Sequence, residues 1–376
     1  MSISNQASLL RRESFGGTLG NAVSGKRIYV NTLEFQQIKD SGCVPSNLQV
    51  ELRTTSCEVI IREPETLLTD NFSAPDTVFF ELTRECNLDC THCLNDSGKP
   101  LPAELTHERR SAILDEFCTI GVQEVRFTGG EPLLVAGLFN YISKIRTCGL
   151  RATMGTNGVL IDTVIAQRLS EAGLNMAVVS VDGLEHRHDL IRGVGTFQKT
   201  IEGIELLRRF RIPVRVNVVA MKSSITEIPD VVRYFYERRV PIMIRRLVPS
   251  GRADGVKETP SAEDYRLLRD NLQPLLHEPK GIVSGHYLKE DEVIPRIKLP
   301  FVWCKCKAGR RGLAVLPDGR VSTCGFLEPL HVPCVGNLSS GSLSEIWKQL
   351  HVPITNCIAL AVAGQENLVQ VRRVRT

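Results

Sequence analysis

The sequence has no long hydrophobic run and no strong excess of charge of either sign. No stretch reaches the ~18 apolar residues of a membrane-spanning helix, and the start, Met1-Ser2-Ile3-Ser4-Asn5, contains no apolar core of a signal peptide. The net charge of +4 is too small to indicate nucleic-acid binding, and the Arg-rich end after Val371 is typical of a solvated tail. We therefore expect a cytoplasmic protein with no membrane and no nucleic-acid partner, and its oligomeric state stays open.

The chain also lacks the features of a disulfide scaffold. Twelve cysteines occur in 376 residues, whereas disulfide frameworks are typical of small secreted chains. Hydrophobic residues make up 42% and charged residues 23%, which is ordinary for a globular protein of two or three domains. The cysteines are therefore better interpreted as thiolate ligands.

Three of the cysteines form one short run. Cys86, Cys90 and Cys93 have the spacing C-x3-C-x2-C and follow the apolar segment 78–82. Closely packed cysteines favour iron–sulfur ligation, and three thiolates would leave one iron of a cube open for a ligand. Two alternatives stay open: a zinc site with a distant fourth ligand, His92 being nearby, and a disulfide with one thiol left over. Zinc sites more often read as repeated C-x2-C pairs.

Strand-like and helix-like segments alternate from residue 77 to about residue 249. The strand candidates are short, apolar and β-branched, as strands buried on both faces should be. The helix candidates have an apolar stripe of helical period. Six such units predict an α/β fold, a partial (β/α)6 TIM-like barrel with ligands at the carboxyl ends of its strands. The predicted strands are 78–82, 124–127, 152–154, 177–181, 214–220 and 242–247, and the predicted helices 108–120, 139–148, 164–172, 200–210 and 228–238.

The segments on either side of the barrel have a different character. Residues 1–72 predict a small α+β appendage, a strand–helix–strand unit over 27–30, 32–40 and 57–61 that is too small to hold much core alone. Residues 251–300 predict a helical linker, whose helix 261–276 begins with Ser261 and Asp264 as N-cap and N3. Residues 301–376 predict a small cysteine-bearing extension with a hairpin turn at 317–319. The barrel itself is assigned to residues 73–250.

Polar residues recur after successive predicted strands. The second strand is followed by Gly129, Gly130 and Glu131, the third by Asn157, and the fourth carries Ser180 and Asp182 at its end, with Arg192 shortly after; Asn217 lies on the fifth. Glycines allow close backbone approach, a carboxylate suits an ammonium group, and arginine suits a carboxylate. Each is weak evidence alone, but their recurrence predicts a ligand with amino-acid and ribose ends. No catalytic side chain is identified.

At this point the motifs resemble the radical S-adenosylmethionine (radical SAM) superfamily over roughly residues 77–250. The resemblance rests on Cys86-x3-Cys90-x2-Cys93, on Gly129-Gly130-Glu131-Pro132, and on Ser180-Val181-Asp182-Gly183 with His188, Asp189 and Arg192. It implies a 4Fe–4S cluster on the three cysteines and S-adenosylmethionine (SAM) on the open iron, cleaved reductively to a 5′-deoxyadenosyl radical. It further implies that Gly129, Gly130 and Glu131 meet the SAM amino group, and that Ser180, Asp182 and Arg192 meet its ribose or carboxylate. Asn157 and Asn217 complete the expected cofactor-binding set.

The two ends of the chain carry further resemblances. Residues 304–347 are similar to the SPASM/twitch extension of peptide-modifying members, which implies one auxiliary cluster on Cys306 and Cys324 with Cys304, Cys334 or Cys357. The dense cysteine run that completes a full extension is missing after Trp347, so a second auxiliary cluster is not expected. Residues 15–19 and 30–35 weakly resemble an element that binds leader peptides of ribosomally made peptides by strand addition; a packing appendage is the alternative.

These features lead to three functional hypotheses. The first is a radical SAM maturase that abstracts hydrogen from a ribosomally synthesised precursor peptide and causes a crosslink, an epimerisation or an excision. It would receive its electron from a reductase, flavodoxin or ferredoxin. The second keeps the chemistry but has a small molecule or a folded protein such as a sulfatase as substrate. The third is a non-catalytic, metal-bearing protein that presents a peptide to a partner enzyme.

Overall fold

The computed structural model describes residues 6–276, 283–285, 308–325 and 334–350. Cys304, Cys306 and Cys357 lie outside these ranges, as do parts of the predicted linker and extension. Two sheets organise the described residues. None of the described helices is both long and apolar enough to cross a bilayer.

The first sheet has four strands in the order β3-β2-β1-β4. We call this sheet and its two helices the N-terminal module. Helix α1 begins with a capping box of Asn31 and Glu34 and ends at Gly42, which has a φ of 64°. The predicted strand–helix–strand unit is present as β3, α1 and β4, but the prediction missed β1, β2 and α2. These short segments mix polar and apolar residues without a clear helical or strand periodicity. Their structure depends instead on the packed core of eight buried residues in the module. The elements are β1 Ser8–Glu13, β2 Gly16–Asn21, β3 Arg27–Asn31, α1 Thr32–Ser41, α2 Ser46–Leu52 and β4 Val59–Arg62.

The main sheet confirms the predicted parallel strands and adds others. Its order is β11-β10-β9-β8-β7-β6-β5-β12-β13-β14, so the six predicted strands, β5 to β10, are neighbours in chain order. Its ends, β11 and β14, do not pair among the described residues, so no closed barrel forms there. The strands are β5 Thr77–Glu81, β6 Glu124–Thr128, β7 Arg151–Thr156, β8 Met176–Ser180, β9 Val214–Ala220, β10 Ile242–Arg246, β11 Val283–Gly285, β12 Gly312–Val315, β13 Arg320–Ser322 and β14 Gly336–Asn337.

The helices between these strands cover one face of the main sheet. A monotonic strand order with right-handed crossovers places successive helices on the same side. On β9, Val216 and Val218 belong to the core shared with these helices, whereas Arg215 and Asn217 lie on the opposite face, which we call the inner face. The helices are α3 His107–Ile120, α4 Leu138–Thr147, α5 Thr163–Glu171, α6 Glu185–Arg192, α7 Thr196–Arg209, α8 Ile228–Glu237, α9 Ala262–Leu276 and α10 Leu343–Lys348.

The predicted cap of α9 is present, and the predicted hairpin turns out to extend the main sheet. Ser261 Oγ accepts from Asp264 N at 3.1 Å, and Asp264 Oδ2 accepts from Ser261 N at 2.7 Å. Strand β12 pairs in parallel with β5, and β13 pairs antiparallel with β12. The segment assigned to the extension therefore contributes strands to the main sheet, and its apolar strand β12 covers the otherwise open edge of β5.

The N-terminal module is docked under the amino ends of the main-sheet strands. Arg11 donates to Asp76 at 2.9 Å, just before β5, and to the carbonyl of Gly121. Arg27 reaches Glu124 of β6 at 2.8 Å, and Arg151 of β7 donates to the carbonyl oxygen of Val23 at 2.8 Å. Because parallel strands present their carboxyl ends at the opposite edge, the module leaves the expected ligand side of the sheet uncovered.

Candidate functional site

The loop between β5 and α3 holds the three cysteines of the predicted cluster. It closes on itself through backbone hydrogen bonds from Cys86 N to Gly98 O at 3.0 Å and from Gly98 N to Arg84 O at 2.9 Å. Arg252, which follows β10, donates to Cys90 O at 2.7 Å and to Ser97 O at 2.9 Å. The loop is therefore shaped by its own backbone and by an arginine about 160 residues further along the chain.

The three thiols lie among hydrogen-bond donors and cations. Ser97 N donates to Cys93 Sγ at 3.3 Å, Arg192 Nη1 lies 3.8 Å from Cys90 Sγ, and Asn157 Nδ2 lies 4.0 Å from Cys86 Sγ. Burial raises the pKa of Cys86 to about 11 against a backbone hydrogen bond from Leu88, and the nearby carboxylate of Glu131 adds to the rise. Burial also raises the pKa of Cys90, against the opposing charge of Arg192.

This donor set fits an iron–sulfur cluster. Three thiols on one loop can each bind one iron when metal binding displaces their protons. The thiolate and sulfide charge of a cluster would be offset by the guanidinium groups of Arg192 and Arg252 and by the Ser97 N–H. The residues present therefore fit the cofactor that the sequence predicts.

Gly129 and Gly130 allow the cysteine loop to lie directly on the turn after β6. A Cβ added at Gly129, whose φ is 142°, would come within 2.4 Å of Thr83 O, and one at Gly130 within 2.1 Å of Glu85 O. Gly130 N donates to Thr83 O at 2.7 Å, and Glu131 N donates to Glu85 O at 2.8 Å. In this structure the two glycines make room for protein backbone, and they thereby fix the position of the cysteine loop.

Glu131 is wholly buried and holds the ends of β6 and β7 together. Its carboxylate accepts from Thr156 Oγ1 at 2.8 Å, from Asn157 N at 2.8 Å and from Leu133 N at 3.2 Å. Burial raises its pKa to about 7, although these hydrogen bonds oppose the shift. Glu131 therefore positions Asn157, whose side-chain amide lies beside Cys86 and donates to Asn87 Oδ1 at 2.8 Å.

Asp182 forms the second centre of the site, at the carboxyl end of β8. It is buried, and its carboxylate contacts Arg192 at 2.6 Å and His92 Nε2 at 3.1 Å and accepts from Val219 N at 2.9 Å. Burial pushes the pKa of Asp182 upward, but the charges of Arg192 and His92 outweigh it and hold the pKa well below its usual range. His92 belongs to the cysteine loop, and Arg192 lies beside Cys90 of that loop. Asp182 therefore links the cysteine loop to β8.

The other predicted residues fall into place around this centre. Ser180 of β8 is directly opposite Asn217 of β9, and Asn217 Oδ1 accepts from Arg245 Nε at 3.4 Å. His188 is buried on α6, its Nδ1 accepts from Asp182 N at 3.4 Å, and its Nε2 has no hydrogen-bond partner in the described residues. The structure therefore brings the predicted cofactor-binding residues to one end of the main sheet.

Two residues of this site were missed or misread from the sequence. His92 was considered only as a zinc ligand, whereas its side chain contacts Asp182. Arg252 was not singled out, because no local pattern marks an arginine whose partner, Cys90, is so distant in the chain. Only for His92 does a signal exist, because its position between two predicted ligand cysteines puts it in the same loop as the expected cluster.

The second cysteine set is described only for Cys324 and Cys334. Cys324 follows β13, and Cys334 lies two residues before β14, the strand that pairs antiparallel with β13. A Cβ on Gly325 would lie 3.8 Å from Glu81 Oε1, and Glu81 Oε2 accepts from Asn95 Nδ2 of the cysteine loop at 3.4 Å. The end of β13 thus lies close to the first cysteine set.

The comparison with known families agrees with this geometry. Residues 80–235 match the Radical SAM superfamily, and residues 304–352 match the SPASM iron–sulfur cluster-binding domain. An AdoMet-dependent heme synthase of Methanosarcina barkeri is 31% identical over 297 residues, which cover 74% of this chain and 84% of that protein. The chain belongs to the radical SAM superfamily.

Two further likenesses concern proteins with other names. The mycofactocin maturase MftC of Mycobacterium tuberculosis is 28% identical over 279 residues, covering 73% of this chain and 71% of that protein. The crystal structure of Streptococcus suis SuiB bound to the precursor peptide SuiA shares the fold, with a TM-score of 0.68 at 17% identity, over 94% of this chain and 89% of that one.

Membership decides between the sequence-based alternatives for the cysteine run. The chain is a radical SAM enzyme that uses a 4Fe–4S cluster and SAM, and it has a SPASM-type iron–sulfur region at its C-terminal end. A zinc site, a disulfide and a non-catalytic role are thereby superseded.

Proposed function

We propose that this radical SAM enzyme modifies a ribosomally synthesised precursor peptide. The observation that carries the proposal is the N-terminal module, a four-stranded sheet whose end strand, β3, pairs only with β2 among the described residues. An end strand offers a row of backbone donors and acceptors to an extended peptide. The opposite end strand, β4, instead packs on the barrel, since a Cβ on Gly149 would lie 2.3 Å from Ile60.

The comparisons support a peptide substrate. The likeness to SuiB extends over 94% of the chain, which is more than the main sheet alone, and that structure contains a precursor peptide. MftC is named a maturase. A module of this kind has no evident use for a small substrate that reaches the sheet from its other end.

The chemistry divides between the cofactors and the chain. When bound, the cluster and SAM supply a reductively formed radical that removes a hydrogen atom from the substrate. We propose that Cys86, Cys90 and Cys93 hold the cluster and that Asp182 orients Arg192 toward the SAM carboxylate. Ser180, Asn157 and Asn217 would complete the cofactor site, with Gly129, Gly130 and Glu131 shaping its wall. Cys324 and Cys334, with Cys306 and Cys357, would bind the auxiliary cluster.

The proposed division of the chain follows from this assignment. Residues 1–72 would bind the leader, 73–250 perform the radical chemistry, 251–300 link, and 301–376 carry the auxiliary cluster. The electron would come from a reductase, flavodoxin or ferredoxin.

The test uses the anaerobically reconstituted enzyme with SAM, dithionite and a short peptide encoded beside its gene. We expect 5′-deoxyadenosine and a peptide of changed mass. Hydrogen–deuterium exchange should show protection of amides 27–31 when the leader segment is added, and none of amides 59–62 on the opposite end strand. An unmodified peptide together with unprotected amides 27–31 would reject the proposal.

A second candidate is a tetrapyrrole substrate. The relative with 31% identity is named a heme synthase, and its alignment covers 74% of the chain. Iron coproporphyrin, offered to the same reconstituted enzyme, separates the two candidates. Turnover of the porphyrin without turnover of the peptide would favour the second.

A further inference from the structure

The inner face of the main sheet carries three arginines. Arg126 of β6, Arg215 of β9 and Arg245 of β10 each alternate with residues that belong to the helix-side core, such as Phe127, Val216 and Ile244. Alternation along a strand therefore places all three side chains on the face away from the helices. This is the face that a substrate of the cofactor site would occupy.

In the described strands, the carboxylates on this face are Glu81, which lies 3.6 Å from Arg84, and Glu124. Glu124 accepts from Arg126 at 3.1 Å and from Thr153 Oγ1 at 3.0 Å, and its other oxygen is occupied by Arg27 at 2.8 Å. No salt bridge is formed by Arg215 in the ranges that the structure describes, and its buried Nε has no hydrogen-bond partner there. Burial, with the charges of Arg126 and Arg245, lowers the pKa of Arg215 to about 10.

The position of Arg215 is costly without a ligand. Burial and the like charges of Arg126 and Arg245 disfavour its charged form, and an apolar residue of similar volume would pack there at lower cost. A guanidinium group matches a carboxylate with two parallel hydrogen bonds. The Phe79 ring, 5.0 Å from the Arg126 guanidinium carbon, adds an apolar wall beside the cations.

Arg126 and Arg215 lie further from the carboxyl ends of the strands than the predicted cofactor-binding residues do. This position suits a substrate group that is separated from the reacting atoms. Arg215 lies two residues before Asn217, and Arg126 two residues before Thr128, which is about 7 Å along a strand in each case. Arg245 donates to Asn217 and so connects the arginines with the predicted cofactor-binding residues at the strand ends. A group held there would leave the adjoining part of the substrate near the strand ends.

We propose that Arg126, Arg215 and Arg245 form a carboxylate-binding site that holds an acidic group of the substrate inside the barrel. The proposal rests on the proposed function for one point, namely that the carboxylate is a side chain or terminus of the peptide's modified segment. A porphyrin propionate would present the same chemistry to the same arginines.

The first experiment measures affinity and needs no turnover. The reconstituted enzyme is titrated with the precursor peptide and with the same peptide whose core carboxylates are replaced by carboxamides. We expect the amide peptide to bind about tenfold more weakly or worse. In Arg215→Gln the two peptides should bind alike, whereas Arg168→Gln, which removes an arginine stacked on Phe139 outside the barrel, should keep the difference.

A second measurement separates binding from support of the fold. Arg215→Met should leave the melting temperature of the substrate-free enzyme unchanged or raise it, since it relieves repulsion, while it removes the preference for the acidic peptide. A merely structural arginine would lower the melting temperature and leave the preference intact. If the Arg215 variants do not fold, the proposal is tested by the affinities of wild type for the acidic and the amide peptide and by loss of that difference in Arg245→Gln.

The outcomes also separate this inference from the proposed function. A peptide that is modified but binds equally as acid and amide would overturn the carboxylate site and leave the function standing. Coproporphyrin III bound in preference to its tetramethyl ester, in an Arg215-dependent way and without peptide turnover, would support the site and reject the peptide. No preference for carboxylate in either pair would overturn the site.

Discussion

Two buried arginine–aspartate networks lie at opposite ends of the main sheet. At the amino ends, Arg11 contacts Asp76 at 2.9 Å and Glu13 at 2.7 Å and also donates to two backbone carbonyls. At the carboxyl ends, Arg192 contacts Asp182 at 2.6 Å, but its next neighbour is the thiol of Cys90.

The difference between the networks lies in where the arginine directs its remaining donors. Arg11 donates them to backbone carbonyls and so attaches β1 of the N-terminal module to the barrel. Arg192 directs them at a residue that we expect to bind the cluster, and two buried imidazole nitrogens, Nδ1 of His92 and Nε2 of His188, have no partner in the described residues. The same type of ion pair thus joins two segments of the chain at one end, and at the other end it faces the cysteine that we propose as a cluster ligand.

Loss of the three thiols should give the largest difference between the two ends of the main sheet. In Cys86→Ala/Cys90→Ala/Cys93→Ala we expect SAM cleavage to fall to background and about four irons to be lost per chain. Iron and sulfide analysis and 5′-deoxyadenosine measurement check this, with Cys43→Ala in the N-terminal module as control. About four irons remaining in the triple variant would be the auxiliary cluster, and SAM cleavage at the wild-type rate would contradict the assignment.

Removal of Arg11 should affect stability and spare the chemistry. Arg11→Met leaves the carboxylates of Glu13 and Asp76 buried without their cation, which should lower the free energy of unfolding by about 3–5 kcal/mol. Arg12→Met, which breaks the exposed pair with Glu63 and removes a guanidinium group from the Phe35 ring, should cost only about 1 kcal/mol. Urea unfolding compares the two variants, and equal losses would show that burial of the Arg11 network is not what stabilises the docking.

Removal of Arg192 should have the opposite profile. Arg192→Met should weaken SAM binding by about tenfold or more, and Arg192→Lys should not restore it fully because lysine lacks the planar fork. Equilibrium dialysis with SAM measures the affinity on cluster-loaded protein. The neighbouring Arg187→Met, which breaks a pair with Glu227 away from the cysteines, is the control; if it weakened SAM binding as much, the assignment of Arg192 would fail.

The smallest effect is a pH dependence at the carboxyl end. Burial, with the charge of Arg192, lowers the pKa of His188 to about 4, below its ordinary value of 6.5. The folded state therefore favours neutral His188, so its stabilising contribution is complete above pH 6.5 and is lost as the pH falls toward 4. Relative to His188→Gln, wild type should lose about 1–2 kcal/mol of unfolding free energy between pH 6.5 and 5.

The control for this titration lies on the same helix. His186→Gln, at an exposed position of α6, should keep the wild-type pH dependence. A pH dependence that persists unchanged in His188→Gln would assign the effect to other groups.

Much of the main sheet could be predicted because its signals are local. The strands Val214–Ala220 and Ile242–Arg246 are apolar runs of strand length, and the helices between such strands have an apolar stripe. The N-terminal module was predicted poorly, since β1, SLLRRE, buries a charged Arg11 that pattern reasoning assigns to solvent. Its burial becomes understandable only with Asp76, which is 65 residues away in the chain.

For the site, the residue types were predictable, whereas their contacts were not. Glu131 was expected to face an ammonium group, but the structure surrounds it with Thr156 and Asn157. The glycines before it were expected to approach a ligand, but they accommodate the backbone of the cysteine loop. Both differences have one cause, which is that loops from neighbouring strands meet only after the sheet has formed.

The sequence by itself determined the spacing of Cys86, Cys90 and Cys93, the parallel strands and the positions of polar residues after them. These depend on backbone geometry and on neighbours within a few residues, which the order of side chains specifies directly. The tertiary structure alone decided that β12 joins β5, that Arg252 contacts the cysteine loop, and that Arg11 and Arg192 have different partners. Those contacts depend on burial and charge pairing between distant segments, and no local pattern encodes which buried carboxylate an arginine will find.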